Sequence, residues 1–233
     1  DYIFLCFFIG NDFIHNIVSI NIRYNGLQNL LDIYDKCQQD HSGYFYLIYN
    51  NELDIQNFKI FIQLLSNNEK KYLENILHIR NCQHKKFIRS YEFIYEMYLK
   101  NDLTMFEDKY ILEFKNNLPI LQRFDELKVF EDINNYNKQY YMFQKFLHHN
   151  YDPSYDEILN LEKENICQNY LESILWTTNY YFKNCLSWSY YYKYHYSPLL
   201  TDFNDYLKNI ENLNIINEDL NPLTNCKQLL LVL

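Results

Sequence analysis

Between Ser187 and Pro198 the chain reads Ser-Trp-Ser-Tyr-Tyr-Tyr-Lys-Tyr-His-Tyr-Ser-Pro, with Tyr180-Tyr181-Phe182 just before it and Thr201-Asp202-Phe203 just after. So dense a block of rings constrains the fold more than any other feature. A buried aromatic side chain removes roughly 150–250 Å² from water, so most of these rings belong to a core. His195, set among them, reads as a hydrogen-bonding side chain inside the fold rather than as a base.

Most of the remaining chain has helical spacing. Leu27, Leu30, Leu31 and Tyr34 mark one helix within 22–39. Asp54 is an N-cap before Phe58, Phe61, Ile62 and Leu65. Ser66-Asn67-Asn68-Glu69 opens another helix carrying Tyr72, Leu73, Ile76, Leu77 and Ile79. From Phe87 to Leu121 the pattern continues, with breaks expected near Asn101-Asp102 and Asn116-Asn117. Ile158 to Phe182 is a long helical pattern, and Thr201 or Asp202 is expected to cap a short helix through Ile210. Residues 2–9 read as a buried helix or strand closed by Gly10. Tyr44 to Tyr49 is β-prone, and Asn50-Asn51 can turn it into a hairpin near 44–53. Residues 131–157, rich in Asn and ending near Asp152-Pro153, read as the loosest segment. The fold class is mainly α.

At 233 residues and 48% apolar, the chain can bury a real core. Its net charge of −9 argues against a broad nucleic-acid-binding face, because each neutralised phosphate needs a Lys or Arg. It allows a narrow channel with local positive lining. Cys6, Cys37, Cys82, Cys167, Cys185 and Cys226 are far apart with no C-x-x-C pair, which argues against a zinc site, and reduced thiols in an intracellular compartment are expected. The apolar run from Tyr2 to Ile9 is far short of the ~20 residues of a membrane span, so no membrane partner is expected. No phosphate-cradling Gly loop exists, which removes nucleotide-driven motors. The chain opens without Met inside an apolar segment, so it is expected to be a piece of a longer polypeptide.

Two stretches carry a resemblance. The aromatic block, with Trp176 and Tyr180-Tyr181-Phe182 before it, is similar to the pattern L-x-W-x-x-x-Y-Y-Y-x-G-x-x-S-W-x-W-Y-Y-P-Y-H-Y-A-P-x-x-S-D. Phe4-Leu5-Cys6-Phe7-Phe8-Ile9-Gly10-Asn11-Asp12-Phe13-Ile14 is similar to F-L-x-x-F-x-G-N-D-F-L. Both patterns are signatures of the Xrn family of 5′→3′ exoribonucleases, and they occur here in the family's order. Asn21-Ile22-Arg23-Tyr24-Asn25-Gly26 resembles the family's D-I-R-E-G. Asn221-Pro222-Leu223 to Leu233 resembles its P-F-x-x-x-x-Q-L-x-x-V-L, expected to pack on the main body. The family's P-H-L-P-S-L is here His15-Asn16-Ile17-Val18-Ser19-Ile20, without either proline. The resemblance covers residues 1–70 and 166–233, while 71–165 match only in helical character.

What the resemblance implies is the later, helical half of an Xrn-type catalytic region. Residues 1–70 would form the C-terminal edge of the α/β nuclease core and 71–233 the helical domain. The parent would release mononucleotides from single-stranded RNA bearing a 5′-monophosphate, using Mg²⁺ or Mn²⁺, in the cytoplasm or nucleus. Asp12 would be a catalytic, metal-binding acid, since hard cations take oxygen ligands. The family's other acids and its 5′-phosphate pocket lie before the Gly-Asn-Asp motif, so this chain alone is expected to be inactive and to need the N-terminal part of the same polypeptide. Trp188 or Tyr190 would stack on bases, a contact that tolerates any sequence. Tyr190 stands where the family has a second Trp, and Lys193 where it has Pro. His15 is a further candidate for touching RNA. Arg80, His84, Lys85, Lys86 and Arg89 read first as a solvated helix face, and otherwise as a strip that tracks phosphates. The competing class is a non-catalytic helical module, keeping the scaffold for RNA binding or protein contacts.

Overall fold

The structure, a computed structural model, describes residues 1–41, 43–122, 132, 134–145, 156–210, 222 and 224. Its helices are α1 (Tyr2–Leu5), α2 (Gly26–Asp40), α3 (Ile55–Ser66), α4 (Glu69–Leu99), α5 (Asp108–Gln122), α6 (Tyr136–Lys145), α7 (Asp156–Phe182) and α8 (Leu200–Lys208). One antiparallel hairpin, β1 (Ile48–Tyr49) and β2 (Glu52–Leu53), pairs Ile48 with Leu53 and Tyr49 with Glu52. The fold is mainly α with a short hairpin, as the sequence indicates. No helix among the described residues is long and apolar enough to cross a membrane. Cys6, Cys37, Cys82, Cys167 and Cys185 are free thiols.

The chain divides into two compact units, Asp1–Glu69 with Tyr151–Leu233, and Lys70–Asn150. In the first, α7 is central. From Asn169 to Thr178 every residue except Glu172 is buried, as expected of a helix covered on all sides. The core around it is largely aromatic. Phe4 meets Phe58 edge-on at 5.8 Å, Phe58 meets Phe203 at 6.2 Å, and Phe203 meets Tyr170 at 5.5 Å. In the second unit, Phe87, Ile94 and Phe114 form the core between α4 and α5, with Tyr91, Tyr98, Leu103 and Phe106 packed against it. Helix α4 kinks at Tyr91, whose φ of −127° and ψ of 19° are not helical. It ends before Asn101, a left-handed residue with φ 56°.

Local chemistry explains several boundaries. The Asp54 carboxylate accepts from the N–H groups of Gln56 and Asn57, both at 3.0 Å, and so starts α3. Asn50 and Asn51 both have positive φ, the geometry of a two-residue hairpin turn that Asn tolerates well. No ring of the Ser187–Pro198 block is fully buried, Trp188 and Tyr191 are exposed, and His195 is exposed rather than inside the fold. Four further expectations need correction. The strand is confined to Ile48–Tyr49, and the N–H of the preceding Leu47 is taken by the Asp1 carboxylate at 3.1 Å instead of by the facing strand. Asn116-Asn117 does not break α5, which runs through it. Part of the segment read as loosest is α6, anchored by the buried Tyr140 and Tyr141. Neither Thr201 nor Asp202 caps α8, whose N-cap is Leu199 with no side-chain bond of its own. The tail resembling P-F-x-x-x-x-Q-L lies outside the described residues apart from Pro222 and Thr224, and Asp152-Pro153 lies outside them altogether.

The first N–H groups of α8 are satisfied from far away in sequence. Glu69 is completely buried. Its Oε1 accepts from the Leu200 N–H at 2.7 Å and the Ser19 hydroxyl at 3.4 Å, and its Oε2 from the Thr201 N–H at 2.9 Å. Burial pushes this carboxyl up to about 7, against the opposing pull of those donors, with Asp202 adding a smaller upward push.

Candidate functional site

The segment after Gly10 is a rigid loop. Asn11 Oδ1 accepts from the N–H groups of Phe13 at 2.9 Å and Ile14 at 3.0 Å, and the Asn11 N–H returns a bond to the Ile14 carbonyl at 3.1 Å. Side chains such as Asn make these turns because they substitute for a backbone acceptor. The loop is pinned to α7 at both ends. The Phe13 ring meets Trp176 and Tyr180 edge-on, both at 5.0 Å. The Tyr170 hydroxyl donates to the His15 carbonyl at 3.1 Å. Immediately before these anchors the Asp12 side chain is exposed.

The aromatic block comes to the same helix from the other end of the chain. The Trp176 indole donates its N–H to the Ser187 carbonyl at 2.9 Å. Its ring stacks on Tyr180 at 5.2 Å and on Tyr190 at 5.8 Å, with interplanar angles of 11° and 24°. The Tyr190 hydroxyl is 2.6 Å from Ser173 Oγ, accepts from Asn169 Nδ2 at 3.2 Å and donates to the Asn169 carbonyl at 3.2 Å. Burial pushes its phenol well above the usual tyrosine range. The Asn169 Oδ1 accepts from the Lys193 N–H at 2.9 Å, fixing the block's path.

Where loop, helix and block meet there is a cleft of about 270 Å³, lined by residues 11–15, by Ser173, Trp176 and Thr177, and by Tyr190, Tyr191 and Tyr192. Ordinary small-ligand pockets run from roughly 300 to 1,000 Å³, so the cleft suits one flat group rather than a large folded ligand. His15 lines it, with its ring 6.1 Å from that of Tyr192. Burial first, and the charge of His195 second, hold the His15 imidazole below its ordinary value.

The structure thus brings together Asp12, His15 and Tyr190. Trp188 does not line the cleft, and its side chain is 57% exposed. Lys85, Lys86 and Arg89 are exposed on α4, in the other unit. Asp12 is the one acid among the lining residues. Among the described residues no three His, Cys, Asp or Glu side chains are grouped to hold a metal ion. One exposed carboxylate does not hold the pair of divalent ions that phosphodiester hydrolysis often uses, so these residues alone do not fit a two-metal centre. Sequence reading missed Ser173 and Thr177. With Trp176 and Tyr180 they occupy positions i, i+3, i+4 and i+7 of α7, a spacing that would have flagged one face.

Comparison with known proteins decides the family. A profile described as the Xrn1 helical domain matches residues 1–113 and 121–233. The chain belongs to the Xrn family. The human 5′-3′ exoribonuclease 1 is 29% identical over 258 residues, covering all of this chain and 14% of that protein. The Arabidopsis thaliana 5′-3′ exoribonuclease 2 is 23% identical over 291 residues, covering all of this chain and 28% of that protein. The Drosophila melanogaster 5′-3′ exoribonuclease 2 homolog is 23% identical over 240 residues, covering 87% of this chain and 24% of that protein. The chain therefore spans between 14% and 28% of the length of these Xrn relatives. Its two Xrn-like stretches, the Gly-Asn-Asp loop and the Tyr-rich block, both contribute to the lining of the cleft.

Proposed function

We propose that this chain is the helical-domain portion of an Xrn-type 5′→3′ exoribonuclease that degrades 5′-monophosphorylated, single-stranded RNA to mononucleotides in the cytoplasm or nucleus. One observation carries the reading: an exposed acid on a pinned loop and a stacked aromatic wall share one cleft of nucleotide scale. In this reading Asp12 supplies one oxygen ligand to a catalytic Mg²⁺ or Mn²⁺, and the remaining acids belong to another part of the polypeptide. Tyr190 and its neighbours give a base a flat, sequence-tolerant wall, and His15 borders the same space. Trp188, exposed within the block but outside the cleft lining, is a second stacking surface. The 233 residues alone are inactive.

The test has two arms. The purified chain, given 5′-phosphorylated oligoribonucleotide and Mg²⁺, releases no mononucleotides, and release would overturn the assignment of the missing acids. In the parent protein, Asp12→Asn lowers hydrolysis by more than about 100-fold, the upper end for residues that only orient a metal's ligands. Full retained activity removes Asp12 from the site. A parent that is itself inert would instead support a non-catalytic RNA-binding or scaffold module, the reading favoured by the lone acid in the cleft.

A further inference from the structure

Charge is distributed very unevenly along this chain. Residues 1–69 and 151–233 hold 8 Lys and Arg against 19 Asp and Glu. Residues 70–90, the first two-thirds of α4, hold six cations (Lys70, Lys71, Arg80, Lys85, Lys86, Arg89) against one acid, Glu74. Beyond the kink the sign reverses, and residues 91–116 hold three Lys against six acids. The positive charge is thus confined to one stretch of one helix.

Four of these six cations lie on or beside one face, and Lys70 and Arg80 fall outside it. Residues 71, 75, 78, 82, 85 and 89 recur at intervals of four and three, the repeat that keeps side chains on a single side of a helix. Lys71, Asn75, His78, Cys82, Lys85 and Arg89 are all exposed, as is Lys86 beside them. Its one acid is the exposed Glu74, three residues after Lys71. Among the described residues neither Lys71, Lys85, Lys86 nor Arg89 forms an ion pair. From Lys71 to Arg89 the rise is about 27 Å at 1.5 Å per residue.

We propose that this face of α4 is a docking strip for the sugar–phosphate backbone of single-stranded RNA, with Lys71, Lys85, Lys86 and Arg89 as its phosphate contacts. The RNA assignment rests on the function proposed above; the anionic character of the partner rests on the helix alone. The strongly acidic remainder of the chain repels a polyanion, so a strand is steered to the one cationic stripe. Three cations on the stripe, with Lys86 beside it and Glu74 as the single acid, suit a repeating phosphate. A docking peptide or helix would anchor apolar side chains, and the stripe offers no apolar residue to receive them.

The experiment measures filter binding of the 233-residue chain to a 20-nucleotide oligouridylate between 50 and 200 mM salt. Each phosphate contact on a single strand contributes about −0.7 to the slope of log K against log salt. Four contacts contribute about −2.8, or roughly a 50-fold loss of affinity over that range. K71Q/K85Q/K86Q/R89Q is expected to bind more weakly at 50 mM and to lose that part of the slope. K36Q/K100Q/K109Q/K115Q changes net charge equally at exposed sites off the stripe and is expected to behave as wild type. An unchanged slope in the stripe variant overturns the proposal, and so does an equal loss in both variants. Displacement of the RNA by an oligoglutamate of equal charge overturns the choice of RNA in favour of an acidic protein segment. Hydrolysis by the parent carrying Asp12→Asn reads the cleft alone, so failure of the strip and failure of the cleft are separable.

Discussion

The buried carboxyl of Glu69 gives an unusual pH dependence whose sign is fixed by two competing effects. A carboxylate that accepts two backbone N–H groups at a helix start is ordinarily stabilised in its charged form. Here complete burial outweighs those donors, and the folded-state value rises from 4.5 to about 7. Below pH 4.5 the group is protonated in both the folded and unfolded chain and costs nothing. Between 4.5 and about 7 the unfolded chain ionises first, so folding is progressively disfavoured; above 7 the cost is constant. That interval is worth about 3 kcal/mol at 1.36 kcal/mol per pH unit. Glu69→Gln keeps the shape and removes the titration. Its absolute stability also reflects an amide facing the Thr201 N–H, so the useful quantity is the difference between wild type and variant as a function of pH. Urea unfolding followed by circular dichroism from pH 4.5 to 8 should show that difference falling by about 3 kcal/mol, with wild type losing ground as pH rises. A flat difference would mean that Glu69 is not a buried acid. A difference rising with pH would mean that the N–H donors win, which refutes the reasoning directly.

Two other substitutions test the geometry around the cleft. Gly10 has φ +95°, and a Cβ there would sit 2.9 Å from the Asn16 backbone nitrogen. Gly10→Ala should therefore cost about 1–3 kcal/mol in thermal unfolding, and a neutral result would show that the loop before Asp12 is not held as described. Tyr190→Phe removes the hydroxyl shared by Ser173 and Asn169. Ser173 retains its bond to the Asn169 carbonyl at 2.7 Å, so the loss should be about 1–2 kcal/mol, and a change below about 0.5 kcal/mol would deny the hydroxyl a structural role.

Local signals were legible where a residue acts on its own neighbours. Asp54 caps the helix that follows it, Asn50 and Asn51 make the turn they suggest, and Gly10 ends the first helical segment with positive φ. Signals failed where the partner is distant. The start of α8 could not be read from Thr201 or Asp202, because the acceptor for its N–H groups is Glu69. Helix α6 was hidden by Asn-rich composition, although Tyr140 and Tyr141 bury its inner face. The acid and the Tyr-rich wall of the cleft were visible as motifs, but the α7 face joining them was not. Ser173 and Thr177 are small and polar, so apolar periodicity passes over them even though both are buried against the cleft.

Trp176 and Trp188 are the two indoles of this chain. One is sandwiched between Tyr180 and Tyr190 with its N–H engaged, and the other stands 57% in solvent. Their emission should therefore separate by colour, the enclosed ring bluer and the open ring redder. A molecule entering beside Asp12 would disturb the first and spare the second, so the polypeptide carries an intrinsic reporter of occupancy together with its own reference signal.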